Sequence, residues 1–168
     1  PRIPANINVP ILIVQHMPEG FTKAFAERLD SISSFKVKEA ETGEKIEYGQ
    51  AYLAPGHSHM LVHEDVDGDY IVLEKSAKVS GHRPSIDVLF NSAAKMSNWR
   101  LIAVIMTGMG RDGADGIKKI HDLGGFTIAQ DRQTSVVYGM NRVAVEMGAI
   151  GNKVPVSEIS KKIVEQLT

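Results

Sequence analysis

The sequence has 168 residues, 43% hydrophobic and 23% charged, and its 19 basic side chains nearly balance 20 acidic ones for a formal net charge of −1. That is enough chain for one ordinary domain with a buried core, and the proportions exclude a disordered chain. The charge balance leaves no electrostatic footprint for nucleic acid; the lack of cysteine excludes a disulfide framework, a thiolate zinc site and a cysteine nucleophile, and fits a reducing cytoplasm; no apolar run reaches membrane-spanning length.

The chain opens on Pro1-Arg2-Ile3-Pro4, which has no signal-peptide pattern and reads as the continuation of an upstream element. Residues 11–14 are a continuous aliphatic run, expected as a parallel-type strand buried on both faces. Phe21, Phe25, Leu29 and Ile32 recur at three- and four-residue steps and predict a helix. Short strands follow at 36–40, 50–54, 59–63 and 70–74, the last two facing each other across the turn 65–69. This section is expected as an insertion or an antiparallel edge. Ile86, Leu89, Phe90, Ala93 and Ala94 draw one helical face, with Pro84 near the first turn. Residues 101–106 predict a second buried strand, 114–123 a helix stopped by Gly124-Gly125, 126–129 a strand and 142–147 a short helix. Ser157 is expected to cap a final helix carrying Ile159, Ile163 and Leu167. Strands alternating with helices at both ends imply an α/β fold: a doubly wound, mostly parallel sheet with crossover helices and an antiparallel hairpin section, residues 1–168 forming one domain.

Open parallel sheets gather functional groups beyond the carboxyl ends of their strands. Two segments qualify: 15–21, after the first strand, and 107–113, after the strand at 101–106. His16 taken alone reads as a histidine that hydrogen-bonds a loop carbonyl, and Asp112 alone as a helix N-cap. On one rim of a sheet they make two members of a hydrolase triad, in which a carboxylate fixes the tautomer and orientation of an imidazole. Gly108, Gly110 and Gly113 would let backbone N–H groups approach an oxyanion. The same glycines fit G-x-G-x-x-G with Asp131 as ribose ligand, so a nucleotide-binding domain ranks second. Asp112 inside that loop would repel a pyrophosphate. The acidic run 65–69 has Tyr70 and Ser76 where a calcium loop needs glycine and glutamate, and reads as a hairpin turn. His57, His59 and His63 have no partners at metal-ligand spacing and read as surface histidines, with His59 and His63 on one strand face. No metal is expected. Met106, Met109, Met140 and Met147 read as core or loop filler.

Several blocks of specific polar and glycine residues occur in a fixed order: Gln15-His16-Met17-Pro18-Glu19-Gly20-Phe21-Thr22, Ala54-Pro55-Gly56, His82-Arg83-Pro84-Ser85-Ile86-Asp87, Thr107-Gly108-Met109-Gly110-Arg111-Asp112-Gly113, Ala129-Gln130-Asp131 and Tyr138-Gly139-Met140. Together they closely resemble the chemotaxis protein-glutamate methylesterase family, CheB, over essentially the whole chain. The resemblance implies the catalytic domain of a cytoplasmic serine hydrolase, needing neither metal nor organic cofactor. Its substrates would be glutamate γ-methyl esters on the cytoplasmic helices of methylated chemoreceptors, and particular receptor glutamines for deamidation. It implies His16 as general base and Asp112 as the carboxylate that orients it. Backbone N–H groups near Met109 and Gly110 would serve the oxyanion, and Arg83 would position an acidic receptor helix or form a structural ion pair. The family's nucleophile lies in a Gly-x-Ser-Thr-Gly-Gly segment before the Gln-His-Met-Pro block. No serine here, Ser58, Ser85 and Ser135 included, matches it. The nucleophile is therefore expected upstream of Pro1, and the 168-residue chain alone is expected to be inactive. The family's own receiver domain and linker, a further partner, are also absent from these residues. The competing expectation is a non-catalytic module that docks to receptors or to the receiver domain.

Overall fold

The computed structural model describes residues 3, 4 and 6–168; the Pro1-Arg2 start, read above as continuing an upstream element, lies outside the described residues. The chain forms two compact units, Pro1–Ser85 and Ile86–Gln166.

The first unit contains β1 (Ile11–Ile13), α1 (Thr22–Ile32), β2 (Lys36–Glu39), β3 (Gln50–Leu53), β4 (His59–His63) and β5 (Tyr70–Glu74). Three strands form a parallel sheet in the order β1-β3-β2, with Ala51 of β3 facing Ile11 on one side and Val37 on the other. The antiparallel section is therefore smaller than expected. β2 and β3 belong to the parallel sheet: α1 carries the chain from β1 back to the start of β2, and residues 40–49 carry it from the end of β2 back to the start of β3. Helix α1 buries Ala26 against Val37, Ala51 and Leu53, with Phe25 and Leu29 packed alongside. The ends of its apolar stripe miss the sheet: Phe21 is 62% exposed and Ile32 54% exposed. Strands of three or four residues reach about 10–13 Å, whereas an eleven-residue helix runs about 16 Å, so only its middle is covered. Among the described residues β1 pairs only with β3, and its residues are half-buried rather than enclosed on both faces.

β4 and β5 pair antiparallel, with Leu61 opposite Val72. The turn between them is closed by Gly68 N–H donating to Asp65 O at 3.2 Å and Val66 N–H donating to Asp65 Oδ1 at 2.6 Å. On the far side of β5, residues 42–46 run alongside it: Gly43 N–H donates to Ile71 O at 2.7 Å, and Ile71 N–H donates to Glu44 O at 2.9 Å.

The second unit contains α2 (Ile86–Ala93), β6 (Ile102–Ile105), α3 (Ala114–Asp122), β7 (Phe126–Gln130), α4 (Met140–Glu146), β8 (Asn152–Val154) and α5 (Val156–Leu167). Its parallel sheet has the order β6-β7-β8, with Val104, Ile128 and Asn152 in register. Ile117 and Ile120 of α3 pack on Ile105 and Ala129 of the sheet. Only Ala103 and Ile105 of β6 are buried, so this strand alternates instead of being buried throughout. The Gly124-Gly125 stop acts as expected: Gly124 (φ +85°) and Gly125 donate to His121 O and Ile120 O, satisfying two terminal carbonyls of α3. Ser157 does not cap α5. The helix begins at Val156 after Pro155, and the Val156 N–H donates to Thr134 Oγ1 at 3.0 Å, a tertiary partner in place of a local cap. The class is the expected one, α/β with parallel strands, crossover helices and an antiparallel pair. Among the described residues no helix is long and apolar enough to cross a membrane.

Candidate active site

In the first unit, the loop after β1 is built by contacts that leave little freedom. A Cβ on Gly56 would lie 2.5 Å from the Pro18 carbonyl carbon and 2.6 Å from the Glu19 nitrogen, so only glycine lets the 54–56 turn lie against this loop. Gly56 N–H donates to Thr22 Oγ1 at 3.0 Å, and that hydroxyl donates to Glu39 Oε2 at 2.7 Å. The loop therefore stands on β2, β3 and the start of α1. Its His16 lines a pocket of ≈ 350 Å³ together with Met17, Pro18, Lys78, His82 and Arg83. Two of these side chains, Lys78 and Arg83, are cationic and among the described residues no carboxylate lines the pocket, so the field favours an anion or a polarised carbonyl. The His16 ring lies flat on His82, with centroids 3.7 Å apart and planes 2° from parallel. Among the described residues no carboxylate pairs with Arg83; its Nη1 donates to Ser76 O at 2.9 Å, holding the loop it sits on.

In the second unit, the 107–113 loop is anchored from below. Thr107 N–H donates to Gln130 Oε1 at 2.9 Å, Gly108 N–H to Val137 O at 3.0 Å, and Met140 N–H to Gly108 O at 2.8 Å. A Cβ on Gly139 would lie 2.5 Å from Gly108 O and 3.1 Å from Gly110 N, so this approach again requires glycine. These ties leave Met109 77% exposed beside Gly110, which adopts a left-handed φ of +87°. Asp112 is fully buried. It does not cap α3, whose N-cap is Gly113 (φ +91°), where a Cβ would lie 2.8 Å from Ile86 Cγ2. Instead it caps α2: Oδ2 accepts from Ile86 N–H at 2.8 Å and Oδ1 from Asp87 N–H at 3.1 Å. Asp87, 3% exposed, returns the interaction by accepting from Gly116 N–H at 2.7 Å in the first turn of α3. Burial pushes the Asp87 carboxyl above its ordinary range. The N–H groups of Gly116 and Gly113 oppose that shift, and the charges of Asp112 and Asp115 add to it.

This arrangement removes the physical basis for a phosphate cradle. The first-turn N–H groups of α3 already face the Asp87 carboxylate, where a pyrophosphate would need them. Asp131, the candidate ribose ligand, spends Oδ1 on Thr134 N–H at 2.9 Å and Thr134 Oγ1 at 2.7 Å. The serines are also occupied. Ser85 is fully buried, and Ser135 Oγ donates to Asp131 O and accepts from Asn141 Nδ2. A histidine–serine contact does exist, His57 Nδ1 to Ser58 Oγ at 2.6 Å, but Ser58 is only 2% exposed.

Two features were not apparent in the sequence. His59, expected at the surface, is fully buried and makes two hydrogen bonds, to Ala77 O and from Ser85 N–H. Both partners are distant in sequence, and strand alternation says nothing about what covers a face. His63, on the same strand, is exposed and stacks on Tyr70 at 5.7 Å. His82 belongs to a block quoted for the family resemblance, but nothing local marks it as a neighbour of His16.

The family model described as CheB methylesterase matches residues 1–163. A protein named protein-glutamate methylesterase/protein-glutamine glutaminase from Pyrococcus horikoshii is 47% identical over 165 residues, covering 98% of this chain and 45% of that protein. One of the same name from Nitrosomonas europaea is 47% identical over 157 residues, covering 94% and 44%. The chain thus spans less than half the length of these relatives. The crystal structure of the Thermotoga maritima CheB methylesterase catalytic domain superposes with a TM-score of 0.94 at 42% identity, covering 98% of this chain and 87% of that one.

Proposed function

The chain belongs to the CheB methylesterase family, and from that premise we propose that it forms most of the catalytic domain of an ester hydrolase acting on glutamate γ-methyl esters, and on glutamine amides, of chemoreceptor helices. The observation that carries this is the placement of His16 in the loop after β1, in a pocket lined by Lys78 and Arg83 and, among the described residues, by no carboxylate. The nucleophile is a serine of the segment that precedes the Gln-His-Met-Pro block in the family. Its Oγ attacks the ester carbonyl while His16 takes the hydroxyl proton, giving a tetrahedral oxyanion. Collapse breaks the carbon–methoxy bond, and the leaving group receives that proton from His16 and departs as methanol. Water then repeats the sequence on the acyl-enzyme, releasing glutamate and the serine. With an amide the leaving group is ammonia.

Asp112 matches the family's triad aspartate, whose role is to fix the tautomer and orientation of the general base. Its two oxygens each accept one backbone N–H, and a carboxylate oxygen can accept more than one hydrogen bond. Met109 and Gly110 supply oxyanion donors, since the hydrogen bonds anchoring their loop run through Thr107 and Gly108 instead. Arg83 and Lys78 draw the acidic surface of a receptor helix toward the pocket. The receiver domain is the regulatory partner.

The test is methanol release from methylated receptor by a chain extended to include the serine segment, with and without His16→Gln. Removing the general base should lower turnover by about 10³-fold or more, leaving only the oxyanion and binding contributions. Turnover surviving within a few-fold would make His16 a structural histidine and overturn the assignment.

A further inference from the structure

The mechanism above makes no use of His59 or His82, yet the two organise the wall of the pocket. His59 Nδ1 accepts from Ser85 N–H at 3.1 Å and therefore carries no proton. The other nitrogen, Nε2, donates to Ala77 O at 2.8 Å. One buried imidazole thus holds both ends of the segment 77–85. Between those anchors the segment closes on itself. Val79 N–H donates to His82 O at 3.0 Å, and His82 N–H donates to Val79 O at 2.9 Å. Ser80 and Gly81 have φ of +50° and +80°, the pair of left-handed residues of a tight two-residue hairpin turn. Arg83 Nη1 adds a third tie, to Ser76 O. The segment is a rigid strap, and it lays the His82 ring face to face on His16 at 3.7 Å.

A histidine ring turns readily about its Cβ–Cγ bond, because that torsion has only broad preferences. A parallel plate at van der Waals distance blocks the turn, since any rotation drives the ring edge into the plate. We propose that His82 is a positioning residue for His16, acting through its ring face, and that His59 sets His82 by clamping both ends of the strap. The inference rests on His16 being the general base. Proton transfer requires that base within hydrogen-bond reach and alignment of the nucleophile, so freedom about this one torsion directly lowers turnover.

The experiment uses the enzyme with its serine segment and separates kcat from KM. A displacement on the order of 1 Å can lower turnover about 10²-fold, so His82→Ala should reduce kcat by about that factor with KM changed less than about threefold. His82→Phe, which keeps the flat face and loses the imidazole chemistry, should recover most of the lost kcat. His59→Gln and His59→Asn can each keep only one of the two strap bonds, and both should reduce kcat in the same direction. Unchanged kcat in His82→Ala, a Phe variant as impaired as Ala, or a rise in KM alone would each overturn the proposal; the last would mean that His82 binds substrate. His16→Gln separates the two levels. If it retains turnover, the general-base assignment fails. If it is inactive while His82→Ala is normal, only the positioning role fails.

Discussion

Asp87 and Asp112 cap each other's helices: the carboxylate just before α3 holds the first N–H groups of α2, and the carboxylate in the first turn of α2 holds an N–H of α3. The lock is closed by Gly116, where a Cβ would lie 2.5 Å from Phe90 Cβ and 3.1 Å from Asp87 Oδ1. Two helix N-termini, each a region of partial positive charge, meet with a buried anion apiece. The residue assigned to orient the general base is thereby fixed by α2 before any substrate arrives.

Asp112→Asn tests whether capping is all that Asp112 does. Asparagine has one side-chain oxygen for two backbone donors, so the variant should lose about 1–2 kcal/mol, or about 2–8 °C in Tm. In the enzyme with its serine segment, turnover should fall by about 10⁴, the size of the same change in serine proteases, because the amide favours the wrong tautomer. Thermal melting and methanol release on one preparation check both. Lower Tm with turnover preserved would leave Asp112 a cap alone.

Asp87 gives stability a pH dependence of defined sign. Its carboxyl is raised by burial, so the folded chain holds this proton more tightly than the unfolded chain does. From the ordinary carboxyl value, about 3.9, up to the raised value, stability from this group falls as pH rises; outside that window it is constant. Asp87→Asn keeps an oxygen for the Gly116 N–H and lacks the titration. The stability of the parent relative to the variant should therefore be greatest at acid pH and decline toward neutrality. Denaturant titrations across that range check it, and parallel profiles would contradict it.

Gly139→Ala and Gly56→Ala should each displace a backbone that carries proposed catalytic groups, the 108–110 loop and the 16–19 loop respectively. Overpacking of this kind typically costs about 1–3 kcal/mol, and a shift on the order of 1 Å in either loop should lower kcat by about tenfold to 10²-fold. Gly43→Ala is the control. Its φ of +79° strains alanine by about 1–2 kcal/mol with nothing within 4 Å to push, so Tm should fall while kcat holds.

Ile117→Ala should separate core from site. Ile117 is fully buried between α3 and the sheet, and its truncation should cost about 2–5 kcal/mol of stability. Because α3 remains locked to α2 by Asp87 and Asp112, kcat measured well below Tm should change little. A proportionate collapse of kcat would mean that the loop depends on core packing more than on the paired caps.

What could be read from the sequence follows from the range of the interactions concerned. The bounds of β4 and β5 followed from local alternation and turn residues, and the helix stop at 124–125 from two glycines. The two aliphatic runs placed the loops of His16 and Asp112 directly after strands, and both loops do follow strands of a parallel sheet, β1 and β6. The misreadings share one cause. His59 bonds to residues 18 and 26 positions away, Asp112 caps a helix 25 residues earlier, and the first amide of α5 is held by Thr134. None of these partnerships leaves a local pattern, so a buried clamp read as a surface histidine and a cross-helix cap as a local one.

The run of residues 42–46 along β5 has a consequence for behaviour in concentrated solution. An open strand edge is a template on which a second chain can add, and β5 carries Ile71, Val72 and Leu73. Here that edge is occupied by Gly43, Glu44 and Ile46, and the cover is pinned by the Lys38–Glu44 ion pair at 2.6 Å. A second chain could therefore add to this edge of β5 only where residues 42–46 had first left it. Loss of the Glu44 carboxylate would loosen the cover while leaving the hairpin beneath it intact.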